Sequence, residues 1–155
     1  MFGSRTGLAL MVAAGFSGCG ADPADDLPEG WAGAQRIELK QSSCPSGFAP
    51  LRGNPRLELT KTDVGLEGIY RDATFRCNDQ KVCGFVLESD VATRLLVQPC
   101  DMHPPDVPRC SCHYTVSFTI PARAGRTTLE LYRRLDLHGA QGPVAAALID
   151  TERVP

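Results

Sequence analysis

The sequence lacks an apolar run long enough to cross a lipid bilayer as a helix. Its longest such run covers residues 7–16, whereas a spanning helix needs about 20 apolar residues. It also lacks a run of basic residues, and its 16 lysines and arginines are set against 18 aspartates and glutamates, for a net charge of -2. Because nucleic-acid-binding domains carry clustered positive charge, this balance argues against nucleic acid as a partner.

Familiar catalytic motifs are also missing from the part that follows residue 19. It contains no nucleophile elbow of the GxSxG type, no HExxH, no P-loop and no GxGxxG. It contains no CxxC redox pair either. We therefore predict a protein that is not an enzyme, with an unrecognised envelope enzyme or redox accessory as one alternative.

The first eighteen residues have the organisation of a signal peptide. Arg5 gives the start a positive charge, and residues 7–16 form the apolar stretch. An apolar stretch of about 7–15 residues after a positive start is typical of a secretory signal. The stretch runs into the tetrapeptide FSGC at residues 16–19. We predict that residues 1–18 are a signal peptide and that the chain is exported.

The tetrapeptide resembles the lipobox of bacterial lipoproteins, in which a large apolar residue and two small residues precede a cysteine. Phe16 stands where this family usually has leucine, and Ser17 and Gly18 are the small residues before Cys19. The resemblance implies cleavage between Gly18 and Cys19, a diacylglyceryl group on the Cys19 thiol and acylation of the new amino terminus. Several acyl chains anchor a protein firmly. Gly20 in place of aspartate resembles the enterobacterial signal for the outer membrane, where the domain would face the periplasm or the cell surface.

Residues 19–34 are predicted to be the lipidated cysteine and a flexible tether. They are rich in Ala, Asp, Pro and Gly and show no apolar period. Such a composition buries too little apolar surface to order itself. Trp31, the one tryptophan, lies here, and the sequence does not decide whether it packs on the domain. Residues 35–155 are expected to form a single β-rich domain.

Six of the seven cysteines follow the lipobox and leave an even number for disulfide bonds. In an oxidising compartment such a set predicts a disulfide framework. Cys77 and Cys83 flank a turn signal, and a bridge between them is the simplest pairing. Cys110 and Cys112 point to the same face of a strand, so they are expected to bond to different partners among the remaining two cysteines. The six candidates are Cys44, Cys77, Cys83, Cys100, Cys110 and Cys112.

The clearest secondary-structure signal is the alternation of apolar and polar side chains over residues 112–120. This period of two is typical of a half-buried β-strand. A glycine-containing turn and a second alternating segment at residues 127–135 follow, which together predict a β-hairpin. Short strands separated by turns predict an all-β domain, an antiparallel sandwich or barrel of about seven or eight strands. The other predicted strands are residues 35–41, 56–61, 67–76, 83–88, 93–98 and 143–151.

The end of the domain carries a second resemblance. The pattern CxCxYxVxFxI at residues 110–120, a glycine-containing turn, and LxLY at residues 129–132 follow one another. The combination resembles the closing hairpin of small uncharacterised β-sandwich lipoproteins of Gram-negative bacteria. It implies a fold and a location and no activity, because a fold does not determine a function.

Residues 100–113 concentrate thiol and imidazole side chains. Cysteine and histidine sets bind Zn²⁺, and soft sulfur ligands suit Cu(I). An alternative interpretation is therefore a copper or zinc site made of Cys100, His103, Cys110, Cys112 and His113. Disulfides are the preferred interpretation, because the CxxC knuckle is missing and the alternation places His113 on the solvent side of its strand.

The proline-rich loop that follows Cys100 is a candidate binding loop. Loops held by a rigid scaffold often carry binding residues. Exposed side chains at Met102, His103, Pro104 and Pro105 would favour a peptide, glycan or envelope-protein partner, whereas packed side chains would favour a plain connection.

Taken together, these patterns predict a lipid-anchored envelope lipoprotein with a structural or interaction-mediating role. The covalent lipid on Cys19 is the one attached group that they imply. The oligomeric state is left open.

Overall fold

The computed structural model describes residues 26–44, 54–77, 81–103, 110–121, 128–137 and 144–154. In these ranges the chain forms nine β-strands in two sheets that pack against each other. The predicted all-β, disulfide-stapled sandwich is confirmed, with nine strands in place of seven or eight. Among the described residues, no helix is long and apolar enough to cross a membrane. The strands are β1 (Gln35–Ile37), β2 (Leu39–Gln41), β3 (Arg56–Thr62), β4 (Gly65–Arg76), β5 (Val82–Glu88), β6 (Ala92–Pro99), β7 (Ser111–Ile120), β8 (Thr128–Arg133) and β9 (Ala147–Arg153).

Sheet A has the strand order β1-β5-β6-β8-β9, and sheet B has the order β2-β7-β4-β3. Neighbouring strands are antiparallel except β6 and β8, which are parallel. The single strand predicted over residues 35–41 is in fact two, since the chain leaves sheet A at Glu38 and enters sheet B. On the other side of the sandwich, the Leu57 amide in β3 donates a hydrogen bond of 2.8 Å to the Asp150 carboxylate in β9. The two sheets are therefore connected on both sides of the sandwich, by the chain at Glu38 on one side and by this hydrogen bond on the other.

The predicted hairpin between residues 112–120 and 127–135 is wrong. β7 pairs with β2 and β4 in sheet B, whereas β8 pairs with β6 and β9 in sheet A. The connection after β7 thus leads to the opposite sheet, and the resemblance to a closing hairpin fails at this point. The alternation still identified the buried face of β7 correctly, because Tyr114 and Val116 are buried. A period of two specifies a face and not a neighbouring strand.

A β-bulge in β4 keeps the side chains on both of its sides directed into the core. Tyr70 lies opposite Val116 and Ala73 lies opposite Tyr114, so two residues of β4 face one of β7. Asp72, inside the bulge, has a positive φ of 54°. The extra residue shifts the alternation by one, as bulges do. The pattern of residues 67–76 is consequently less regular than that of β7.

The main core lies between the two sheets. Aliphatic side chains of sheet A meet the aromatic and aliphatic side chains of sheet B in one continuous cluster. Burying such side chains contributes about 1.5–3 kcal/mol each to folding. We call this cluster the inner core. Its largest fully buried members are Tyr70, Phe75, Leu95, Tyr114, Ile120, Leu129 and Leu131.

The ring of Phe118 in β7 lies over Gly68 in β4, its partner in the register. A Cβ atom at residue 68 would come within 2.0 Å of Phe118 Cζ. Phe118 is 4% exposed and therefore enclosed by other side chains. Glycine in a strand often marks such a close approach.

We expect Gly68→Ala to destabilise the domain by about 1–3 kcal/mol, because the added methyl group overpacks a closed core. In a Phe118→Leu background, the same change is expected to cost less, since leucine lacks the atoms that collide. Urea unfolding of the wild type, both single variants and the double variant gives the coupling energy. An equal cost of Gly68→Ala in both backgrounds would show that the ring does not set the constraint.

Candidate functional site

All six cysteines that follow the lipobox form disulfide bonds. The pairs are Cys44–Cys112, Cys77–Cys110 and Cys83–Cys100, with Cα–Cα distances of 5.7, 5.4 and 4.9 Å. Cys110 and Cys112 bond to different partners, as predicted. Each bridge of this kind contributes about 2–4 kcal/mol, mainly by restricting the unfolded chain.

The predicted bridge between Cys77 and Cys83 is wrong, and so is the assignment of Cys100 to the 110/112 pair. β4 ends in sheet B and β5 begins in sheet A, so Cys77 and Cys83 belong to different sheets. Within sheet B, Arg76 lies opposite Ser111 at the end of the β4–β7 ladder. One step further, the Cys77 amide donates a 3.2 Å hydrogen bond to the Cys110 carbonyl. The bridge therefore follows the strand pairing.

Two of the three bridges meet at the end of sheet B. The sulfur atoms of Cys44, Cys77 and Cys112 all lie within 4.8 Å of one another. Cys112 is buried and the other two are half-buried. We call these three atoms, with the Cys110 sulfur bonded to Cys77, the sulfur cluster.

The sulfur cluster borders an opening with a volume of about 410 Å³, lined in part by Cys110 and two arginines, Arg76 and Arg133. The Arg76 guanidinium forms a 2.7 Å ion pair with the buried Asp136 carboxylate. Arg133 donates a 3.4 Å hydrogen bond to the Thr74 carbonyl, and it has no carboxylate partner within the described ranges. Among the described residues, the positive charge of Arg133 beside the half-buried bridge is therefore not paired with a carboxylate.

The metal site considered from the sequence is not assembled. Cys100 is bonded to Cys83 and packs on the outer side of sheet A, whereas Cys112 belongs to the inner core. His113 lies half-buried on β7, and its Nδ1 is 3.2 Å from the Thr74 hydroxyl. The proposed cysteine ligands thus lie on different sheets, and each is bonded to a cysteine outside the proposed ligand set.

The candidate binding loop is only partly described, because Pro104 and Pro105 lie outside the described residues. Met102 is 1% exposed, and its carbonyl accepts a 2.8 Å hydrogen bond from the Leu137 amide. His103 is exposed, and its Nδ1 lies 3.8 Å from the Asp26 carboxylate. The start of the loop is therefore packed, which favours a structural connection at Met102.

Residues 26–34 do not form the flexible tether that the sequence predicted. Trp31 is 2% exposed and packs on the outer side of sheet A, against Phe85 and Leu96. The Tyr132 ring meets the Trp31 ring edge-on, with 5.3 Å between centroids. We call this outer cluster the Trp31 cluster. Residue 26, which is already part of this packed segment, lies nine residues before the predicted start of the domain at residue 35.

A guanidinium group lies against both rings of the Trp31 cluster. The Arg94 Cζ atom is 4.9 Å from the centroid of the Trp31 ring and 4.9 Å from that of the Tyr132 ring. Glu130 accepts a 3.0 Å hydrogen bond from the Tyr132 hydroxyl and lies 3.7 Å from Arg94 Nε. Cation–π contacts of this kind contribute about 0.5–2 kcal/mol, more when water is excluded.

Arg134 binds residues 26–34, which cover the outer side of sheet A and which we call the covering segment. Its side chain is buried and donates hydrogen bonds to the Asp26 carbonyl, to the Val144 carbonyl at 2.7 Å and to the Gln98 side chain at 3.4 Å. Burial lowers the pKa of the Arg134 guanidinium, and the nearby Asp26 carboxylate partly offsets this effect. The arginine therefore joins the amino-terminal segment, β6 and the segment before β9.

The outer side of sheet B, in contrast, carries a polar groove. Its volume is about 480 Å³. Arg71 donates 2.9 Å hydrogen bonds to both carboxylate oxygens of Glu58, and this interaction lowers the pKa of Glu58. The pair is exposed, and such pairs contribute little to stability. The residues that line the groove are Glu38, Lys40, Glu58, Thr60, Glu67, Ile69, Ser117, Phe118 and Thr119.

Sequence reasoning missed the Trp31 cluster and Arg134. One signal was present in β6, where Leu95, Leu96 and Val97 are apolar at three successive positions. A continuous apolar run of this kind indicates a strand that is covered on both faces. It therefore implied a covering segment, although not which one. The lipobox residues Gly18 and Cys19 lie outside the described residues.

We expect Arg134→Met to destabilise the domain by about 2–3 kcal/mol, because one buried and two half-buried acceptors lose a charged donor. Trp31 is the one tryptophan, so its emission reports directly on the covering segment and should shift to longer wavelength. Arg153→Met, on the exposed side of β9, is the matched control and should change the free energy of unfolding by less than about 0.5 kcal/mol. An unshifted Trp31 emission in Arg134→Met would contradict this role.

The chain was also compared with known proteins. The comparison with protein-family models, curated proteins and solved structures finds no match to this chain.

Proposed function

We propose that this chain is an exported lipoprotein, anchored to the cell envelope by lipid on Cys19, with the sandwich as a non-enzymatic structural or interaction module. The observation that carries the proposal is the pairing of the cysteines. Of seven cysteines in the sequence, six are bonded to one another. Cys19 is the one that has no partner left, and it is also the cysteine of the lipobox-like tetrapeptide.

Three disulfides in a domain of this size support export. Disulfides persist in oxidising compartments, such as the periplasm and the cell surface, and are rare in the cytosol. An odd cysteine in an exported chain bonds to another chain or stays a reactive thiol unless it is modified. Lipidation of Cys19 accounts for both the location and the odd number.

The packed amino-terminal segment supports a position close to the membrane. Asp26 follows Cys19 by seven residues, and seven residues reach at most about 25 Å even when fully extended. Because the Asp26 carbonyl is bonded to Arg134, the Arg134 region of the domain would be the part nearest the lipid.

This arrangement suits a module that interacts through sheet B. The outer side of sheet A is covered by residues 26–34, whereas the polar groove of sheet B is not covered by any described segment. Its carboxylate, hydroxyl and amine groups are suited to a polar partner, such as an envelope protein, a peptide or a glycan. No cofactor besides the covalent lipid enters this proposal.

We expect Cys19→Ala to abolish lipid attachment when the full chain is expressed in a Gram-negative host. Intact mass should show the loss of the diacylglyceryl and acyl groups, and the protein should leave the detergent-soluble membrane fraction. Ser17→Ala keeps a small residue in the tetrapeptide and is the matched control, which should remain lipidated.

Thiol blocking followed by peptide mapping completes the experiment. The wild type, Cys19→Ala and Ser17→Ala are all expected to keep the three disulfides. A wild-type protein whose Cys19 carries no lipid would refute the proposal. So would a Cys19→Ala protein that stays in the membrane fraction and still carries the mass of the lipid.

A further inference from the structure

The sulfur cluster places one disulfide within reach of another. The Cys77 sulfur lies within 4.8 Å of both sulfur atoms of the Cys44–Cys112 bridge. The Cys110 sulfur, to which Cys77 is bonded, is not a member of this group of three. Disulfides are exchanged by attack of a thiolate on a disulfide sulfur, so a short separation between the sulfur atoms is required for two bridges to exchange.

The backbone keeps these atoms together independently of the bridges. Phe75 lies opposite Cys112 and Arg76 opposite Ser111 in the β4–β7 ladder. The Cys77–Cys110 backbone hydrogen bond and the 3.1 Å bond from the Tyr114 hydroxyl to the Arg76 carbonyl extend that ladder to the cysteines. A thiolate formed at Cys77 would therefore stay beside the second bridge.

The surroundings also allow an outside thiol to reach the Cys77–Cys110 bridge. Cys110 is half-buried and lines the opening beside Arg76 and Arg133. Positive charge beside Cys110 favours the approach of an anionic thiolate. It also lowers the pKa of the Cys110 thiol, which is the leaving group when a dithiol resolves the mixed disulfide. The carboxylate of Asp136 offsets the charge of Arg76, whereas Arg133 forms no ion pair with any carboxylate of the described residues.

We propose that the Cys77–Cys110 and Cys44–Cys112 bridges form a thiol–disulfide exchange pair, which a dithiol or small thiol of the envelope enters at Cys110. The outside thiolate attacks the Cys110 sulfur. A mixed disulfide forms, the Cys77–Cys110 bond breaks, and its electron pair leaves on Cys77.

In the second step, the Cys77 thiolate attacks the Cys44–Cys112 bridge. A bond forms between Cys77 and one of these two cysteines, and the other leaves as a thiolate. The number of disulfides is unchanged. With a dithiol, the second thiol of the reductant then attacks the mixed disulfide, releases Cys110 as a thiolate and leaves oxidised. Two electrons have then entered the protein, and one bridge has been reduced.

Two variants that remove the same bridge test this proposal. Cys110→Ser leaves Cys77 without its partner, whereas Cys77→Ser leaves Cys110, and both lose one cross-link between the same positions. In Cys110→Ser we expect peptide mapping after acid quenching and thiol blocking to find Cys77 bonded to Cys44 or Cys112. In Cys77→Ser we expect a free Cys110 and an intact Cys44–Cys112 bridge.

A Cys110→Ser protein in which Cys77 is blocked and Cys44–Cys112 is intact would overturn the proposal. Equal scrambling in the two variants would overturn it as well, because the route would then not depend on the position of Cys77. Cys100→Ser is the remote control, and its Cys83 should remain free on the outer side of sheet A.

The wild-type full chain provides a second measurement that does not require a variant to fold. It is treated with limiting dithiothreitol, quenched in acid and mapped over time. The expected intermediate contains a bond from Cys77 to Cys44 or Cys112. Reduction that proceeds only through the three native pairs would contradict the proposal. This inference does not depend on the lipid anchor, so the Cys19 experiment and this one can fail separately.

Discussion

The pairing of β4 with β7 is the interaction on which most of this structure depends. Its register places Phe75 opposite Cys112, with the last pair of the ladder one step away, so the strand pairing alone brings Cys77 to Cys110. The same pairing lines up the aromatic side chains that fill the inner core from sheet B. A slip of one residue would turn all of these side chains outward and separate the cysteines. Core packing and cross-linking therefore share one determinant.

Local pattern predicted the buried face of β7, and the face of a regularly alternating strand is the part of the fold that the sequence reveals well. In β7 the alternation identified the buried side chains without error. The local pattern does not identify which strands are neighbours in a sheet, because strands that are distant in the sequence must meet. β8 follows β7 along the chain, yet it pairs with β6 and β9, and its hydrogen bonds are set by a parallel contact that no turn signal announces. The failure of the predicted Cys77–Cys83 bridge has the same origin.

The amino-terminal segment shows a second limit of local reasoning. Its composition is that of a linker, and judged alone it buries too little surface to order. It orders because sheet A presents an apolar outer face around Phe85 and Leu96, to which Trp31 adds its ring. Arg134 then satisfies the backbone carbonyl groups that this contact removes from water. The ordering of residues 26–34 thus depends on side chains of β5, β6 and β8, far along the chain.

The lengths of the cross-linked loops bear on whether exchange at the sulfur cluster is compatible with a stable domain. The Cys44–Cys112 bridge closes a loop with a sequence separation of 68. A bond from Cys77 to either of these cysteines would close a loop of about half that length. Halving a loop changes its closure entropy by only about 0.6 kcal/mol. The second step, in which Cys77 attacks the Cys44–Cys112 bridge, therefore leaves the unfolded chain restricted almost equally, whereas the Cys77–Cys110 cross-link is already lost when the outside thiol enters. Which bridge is populated is then decided by contacts in the folded state, above all by the β4–β7 ladder that holds Cys77 and Cys112 on neighbouring strands.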